Sequence, residues 1–228
     1  MKEGILLHLE TATEVCSVAL SQNGKLIHFE ETTEPNAHSR VITRLIERCL
    51  KAAGIGINKL SGVGVSAGPG SYTGLRVGVS TAKGICYSLG IPLFAADTLL
   101  TMAWACQAEL PGATYIPMID ARRMEVYLAI YDRQMNCLLP TEARVLDEHT
   151  QAELPLLDKP LVLCGNGAHK AQSLFGDAAV LSPIRCSAAH QIALIWEQFQ
   201  AGAQADLVTF EPAYLKNPNI TNPKEYKF

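Results

Sequence analysis

AGPGSYTGLRVGVSTAKG, residues 67–84, turns a corner between two periodicities. The apolar run Val63–Val65 before it reads as a strand, and Leu75 to Leu89 after it reads as a helix stopped by Gly90. Gly68, Gly70 and Gly74 surround the corner, with Pro69 between the first two. Such a strand–loop–helix turn serves one of two ends: the backbone approaches a phosphate, or helix and sheet pack unusually closely. The spacing rejects both standard phosphate loops. No lysine follows a glycine as a P-loop demands, and Gly74 falls one residue late for a dinucleotide fingerprint. Free N–H groups at the helix start, with Arg76 beside them, leave anion binding as the lesser reading. Packing is the favoured one. Gly74, Gly78 and Ala82 recur every four residues, so they share one helix face. A glycine inside a helix costs about 1 kcal/mol relative to alanine, a loss that a close contact with the chain's own sheet or with a helix of another chain offsets.

Outward from the corner the elements alternate. Gly4–Glu10, Cys16–Ser21 and Lys25–Glu31 read as three strands, the last two joined by Asn23-Gly24, a strong hairpin signal. Asn36 to Ala53 reads as an amphipathic helix with apolar Val41, Ile42, Leu45, Ile46, Cys49, Leu50 and Ala53; Asn36 or Ser39 is placed to cap it and Gly54 to end it. Strand 60–66, the helix after the corner, strand 91–95 and helix 99–110 complete the order β-β-β-α-β-α-β-α. That is α/β with a mixed sheet. Pro111-Gly112 marks a boundary, after which strands at 114–119, 125–131 and near 137–139 begin the meander again. Strand 161–164 and a helix at 187–202 follow. The predicted organisation is an α/β half over 1–110, a smaller degenerate copy over 111–210, and an extended tail over 211–228.

The 228 residues are 48% apolar, enough for one large domain or two small ones. A net charge of −3 provides no overall attraction for nucleic acid. The seven cysteines are scattered, with no CxxC pair, and read as small buried apolar residues in a reducing compartment. The first residues lack the apolar length of a signal peptide and no run suits a membrane span. The expectation is a soluble, cytoplasmic protein that engages no membrane.

Candidate chemical groups do not assemble into a set. Glu10 and Glu14 flank the first turn and are spaced to hold Mg²⁺ on a phosphate, but Glu14 is equally a solvated turn residue. Asp97 and Asp120 each follow a strand; capping is the favoured role of the first and turn chemistry that of the second. No two of the six histidines stand four apart, and no G-x-S-x-G elbow supports a hydrolase triad. No catalytic, cofactor or metal residue is assigned on this basis.

HLETATEVCSVAL (8–20), NAHSRVITRLIERCL (36–50), SAGPGSYTGLRVGVSTAKGICYSLGIPL (66–93) and MIDARRMEVYLAIY (118–131) resemble the TsaB family, also called YeaZ, and PAYLKN (212–217) resembles its ending. Between Cys137 and Asp206 the likeness is weak. The resemblance implies an actin-like ATPase fold, that is, two stacked ribonuclease-H-like α/β halves with mixed sheets. It implies a noncatalytic relative of TsaD that works with TsaD and the ATPase TsaE in threonylcarbamoyl transfer to adenosine 37 of tRNAs that read ANN codons. TsaD proteins carry two metal-binding histidines on a helix, and in this chain Thr98 and Met102 stand at those places, so the resemblance implies no metal or cofactor here. It further implies a heterodimer with TsaD through the two helices of the first half, a homodimer through the same surface when alone, and only indirect contact with tRNA. The residues expected at that interface are His38, Ile42, Leu45, Ile46, Cys49, Gly74, Arg76, Gly78 and Ala82. The competing reading is an ATP- or metal-dependent enzyme of the same fold, kinase-like or peptidase-like.

Overall fold

In the computed structural model, which describes residues 2–34, 37–155 and 157–216, two five-stranded mixed sheets repeat one topology. The first takes β1 (Ile5–Glu10), β2 (Cys16–Gln22), β3 (Lys25–Thr32), β4 (Gly62–Gly68) and β5 (Leu93–Asp97) in the order β3-β2-β1-β4-β5. The meander β1-β2-β3 is antiparallel, and β4 and β5 add in parallel beside β1. The second takes β6 (Thr114–Asp120), β7 (Glu125–Tyr131), β8 (Cys137–Val145), β9 (Leu161–Cys164) and β10 (Ala179–Leu181) in the order β10-β9-β6-β7-β8, with the same pattern of directions. The central strands are buried on both faces, which is why Leu6, Leu7 and Leu9 run almost without polar interruption.

Local chemistry sets the element ends. Asn23 and Gly24 adopt φ of 52° and 76° and close the β2–β3 hairpin. Helix α1 (His38–Ala53) follows Ala37, which offers no side-chain cap; Asn36, one of the two expected caps, lies outside the described residues, and Ser39 falls inside the helix instead. Gly54, at φ 67°, ends α1. Helix α2 (Tyr72–Leu89) starts three residues before the predicted Leu75, because Ser71 caps it by accepting from the Gly74 N–H at 3.2 Å. Helix α3 (Thr98–Glu109) is capped by Asp97, whose carboxylate accepts from the Leu100 N–H at 2.8 Å.

The second half departs from expectation in its details. Strand β8 runs nine residues, well past the predicted 137–139. A short helix α4 (Thr150–Glu153) and an eight-residue α5 (Ala168–Phe175) stand where the first half has α1 and α2. The predicted helix 187–202 splits into a 3₁₀ turn, Ala188–Gln191, and α6 (Ile192–Ala201).

The strands of the two sheets are consecutive in the chain, whereas the helices α3 and α6 pack across between them. Helix α3 contributes Leu99, Met102 and Cys106 to a core with Tyr115, Ile119 and Val162 of the second sheet. Helix α6 returns to the first sheet, where Ile195 and Phe199 pack on Leu6, Phe94 and Ala96. Each half therefore lends a helix to the other. Of the seven cysteines, all free, only Cys137 is exposed; burial pushes the Cys16 thiol up to about 12 and Cys49 and Cys86 up to about 11. Among the described residues no helix is long and apolar enough to cross a membrane. Residues 211–216 form no regular element, and the predicted extended tail beyond them, 217–228, lies outside the described residues.

Candidate partner face and interlobe cleft

The glycine corner is a packing device within the chain. A Cβ at Gly70 would stand 2.4 Å from the Ala12 carbonyl oxygen, one at Gly74 2.1 Å from that of Thr11, and one at Gly78 2.3 Å from Thr11 Oγ1. The Ser71 N–H donates to the Ala12 carbonyl at 2.7 Å. The three glycines thus press the start of α2 onto the β1–β2 turn, with fully buried Ala82 behind them.

The same packing places the residues expected at the interface. Ile42, Leu45, Ile46 and Cys49 are buried in the chain's own first core, with Gly74, Gly78 and Ala82 on the inner face of α2. The wide apolar stripe of α1 is consumed by β2 and β3; the Cys49 thiol even points at the His28 carbonyl, 3.6 Å away. His38 is half-buried, its Nε2 donating to the Thr13 carbonyl at 2.9 Å. Arg76 alone of the nine is exposed. The face the two helices present outward is a different set: Thr43, Arg44, Glu47 and Lys51 on α1, and Thr73, Ser80, Gly84, Tyr87 and Ser88 on α2. Tyr87 is 83% exposed. A Cβ at Gly84 would meet nothing within 4 Å, so this helix-interior glycine has no packing reason inside the chain. The helical period that located the buried stripe also locates this opposite one.

Between the halves lies a cleft of about 780 Å³, walled by the corner on one side and by the β6–β7 connection on the other. The candidate acids are distributed around it without meeting. Glu10 is fully buried behind the wall, its two oxygens accepting from the Ala12 N–H at 2.7 Å and from Gln191 Nε2 at 3.1 Å. Burial pushes its pKa up, opposed in part by those hydrogen bonds. Glu14, exposed at the rim, accepts from Asn166 of the second half at 2.7 Å. Asp120 does turn chemistry, accepting from the Arg122 N–H and from Lys170 Nζ, both at 2.6 Å. Arg122 and Arg123 hold φ of 74° and 51° in this connection, a strain the sequence did not announce. Among the described residues no three His, Cys, Asp or Glu side chains gather as a metal site.

The family model for TsaD, tRNA N6-adenosine threonylcarbamoyltransferase, matches residues 32–225. The tRNA threonylcarbamoyladenosine biosynthesis protein TsaB of Escherichia coli is 30% identical over 223 residues, 93% of this chain and 94% of that protein. The chain belongs to the TsaB family. YeaZ from Pseudomonas aeruginosa superposes with a TM-score of 0.77 at 24% identity, covering 93% of this chain and all of that one. Component A of the (R)-2-hydroxyglutaryl-CoA dehydratase of Acidaminococcus fermentans, 8% identical, superposes at 0.51 over 90% of this chain and all of that one. The fold of this TsaB-family chain is the actin-like one, two α/β halves with mixed sheets. Within it, Thr98 and Met102, which stand where TsaD proteins were expected to carry histidines, are buried at the start of α3; Met102 Sδ lies 3.6 Å from Cys186 Sγ, in an apolar core.

Proposed function

We propose that the chain is a noncatalytic subunit of tRNA threonylcarbamoyladenosine synthesis that pairs with TsaD through the outer face of α1 and α2 and supports its activity, with TsaE joining the pair. The observation that carries the reading is Gly84: an exposed glycine in the middle of an 18-residue helix, open above, beside Tyr87 with its ring in solvent. A backbone bared in this way suits the close approach of a helix from another chain. Family membership supports TsaD as the owner of that helix, and the match of residues 32–225 to the TsaD family model supports a kinship between the two proteins. Two facts support a noncatalytic role. The buried Glu10 is committed to its own loop and to Gln191, and at the two expected histidine places stand a buried neutral hydroxyl, Thr98, and a soft thioether, Met102, which do not replace a pair of imidazoles. In the absence of TsaD, the same face serves a second copy of the chain.

The test is Gly84→Leu. The added Cβ meets nothing within 4 Å in its own chain and the position faces outward, so the fold is expected to stay intact while the face is blocked. In size-exclusion chromatography with TsaD from the same organism, the wild type is expected to co-elute and the variant to elute apart, with threonylcarbamoyl transfer by the TsaD–TsaE mixture dropping to the level without this subunit. Normal co-elution of the variant would remove α2 from the interface.

A further inference from the structure

After α6 the chain crosses the first half without regular structure, yet it is tied down at short intervals. The Ala205 N–H donates to the Leu93 carbonyl at the edge of β5, at 2.8 Å. Asp206 folds the next turn by accepting from the Val208 and Thr209 N–H groups at 2.9 and 2.7 Å, and Lys83 of α2 donates to the Val208 carbonyl at 3.1 Å. Leu207 and Phe210 pack against the first core. The Ala213 N–H then donates to the Ala67 carbonyl at 2.7 Å. Gly68, at φ +100°, admits this approach, since a Cβ there would stand 2.8 Å from the Ala213 carbonyl oxygen. The Tyr214 ring lies 4.7 Å from that of Tyr72, and Arg76 sits over Tyr72 while its Nε donates to the Tyr214 hydroxyl at 3.3 Å. Finally Lys216 reaches across the cleft mouth and pairs with Glu125 of β7, in the other half.

We propose that residues 205–216 are a clasp that holds the two halves closed over the cleft. Its anchor is one flank of α2, through Tyr72, Arg76 and Lys83, and its far end is the Lys216–Glu125 pair. Each tie is exposed or half-exposed and individually weak, so the clasp opens reversibly rather than fixing the halves. Helix α2 bears the clasp on its flank and, on the reading of the proposed function, the TsaD contact on its outer face; closure and pairing are then linked through one helix, and the linkage runs both ways.

Hydrogen exchange on the chain alone tests the clasp without any partner. In the double variant Tyr214→Ala, Lys216→Gln, amides of segments 68–74 and 119–127 are expected to exchange at least about tenfold faster, while α1 and β2–β3 keep their protection. Unchanged exchange in the two segments, or equal acceleration through the whole first half, overturns the clasp. Charge reversal gives an independent check. Lys216→Glu is expected to reproduce the local acceleration and added Glu125→Lys to reverse it; failure of the second change to restore protection removes the cross-cleft tie. Affinity for TsaD tests the linkage. A roughly tenfold weaker pairing of the double variant supports it, equal affinity overturns it, and if the wild type itself does not pair, the linkage falls with the pairing reading while the exchange results still decide the clasp.

Discussion

Glu10 places a carboxyl group where an ionic charge is costly. It is fully buried at the end of β1, where the Ala12 N–H and Gln191 Nε2 donate to its oxygens at 2.7 and 3.1 Å, and the Ser66 hydroxyl and the Thr11 backbone add to the partners that oppose the larger effect of burial. Its pKa rises above 4.5 on folding, so the folded chain keeps a proton that the unfolded chain has released. Stability from this group is full below about pH 4.5 and is lost as pH climbs toward the folded value. Glu10→Gln keeps the bond from Ala12 and is neutral at every pH. The variant is expected to gain about 1–3 kcal/mol at pH 7, the penalty of a buried polar group poorly served, and little at pH 4, as read from urea denaturation at the two values. A variant less stable than wild type at pH 7 would show that the carboxylate is held ionised. His8, also fully buried, acts in the opposite sense. Its Nε2 lies 2.8 Å from Ser21 Oγ, Nδ1 has no partner, and burial pushes the pKa from 6.5 down to about 3. The unfolded chain therefore takes up a proton below pH 6.5 that the folded chain refuses, and stability falls on acidification from about 6.5 toward 3. The slope from one such group is at most about 1.4 kcal/mol per pH unit. His8→Gln, which cannot titrate, is expected to flatten the wild-type decline between pH 6.5 and 5; an unaltered decline would assign it to other groups.

Helix α2 shows one residue type used for opposite reasons on its two faces. Gly78 is a glycine because Thr11 occupies the place of its Cβ; Gly84 is a glycine with open space above it. Gly84→Ala is expected to stabilise the isolated chain by about 1 kcal/mol, raising Tm by about 2–4 °C for a chain of this size. Gly78→Leu is expected to destabilise it by about 1–3 kcal/mol or more through overpacking, so a failure of that variant to pair would report on folding and not on the interface. Calorimetry on the two variants separates the faces, and equal Tm shifts would sink the distinction. The contrast also marks what the sequence could and could not disclose. The period of Val41, Ile42, Leu45 and Ile46, and of Gly74, Gly78 and Ala82, revealed two helices with buried faces. It did not reveal whose atoms bury them, because periodicity records burial and not the identity of the neighbour. The glycine corner, the Asn23-Gly24 hairpin and the Asp97 cap were legible because each is decided within a few residues. The break in the helix predicted over 187–202 was not. It is imposed from far away, by the Ala188 N–H donating to Ser17 Oγ at 2.9 Å and Gln191 Nε2 to the Leu9 carbonyl at 3.0 Å. Helix α5 escaped notice because eight residues between glycines show barely two turns of any period.

At the scale of the molecule, the repeated sheet order makes the halves look separable, and the exchanged helices make them inseparable. Without α6, Leu6, Phe94 and Ala96 on the back of the first sheet face water, and without the second sheet Leu99, Met102 and Cys106 of α3 do the same. Burying each large apolar side chain contributes about 1.5–3 kcal/mol, so losing several at once is comparable to the net stability of a domain of ordinary size, about 5–15 kcal/mol. Residues 1–110 expressed alone are therefore expected to lack fixed tertiary packing, with weak near-ultraviolet circular dichroism and no cooperative urea transition. Joining residues 187–216 to residues 1–97 through a flexible linker supplies α6 and the following strap while omitting α3, and this chimera is expected to regain a cooperative transition although the second sheet is missing. Cooperative unfolding of 1–110 by itself would mean that the first half is a self-sufficient domain. Failure of the chimera would mean that α6 does not complete the first half, and that the two sheets support each other by contacts other than the exchanged helices.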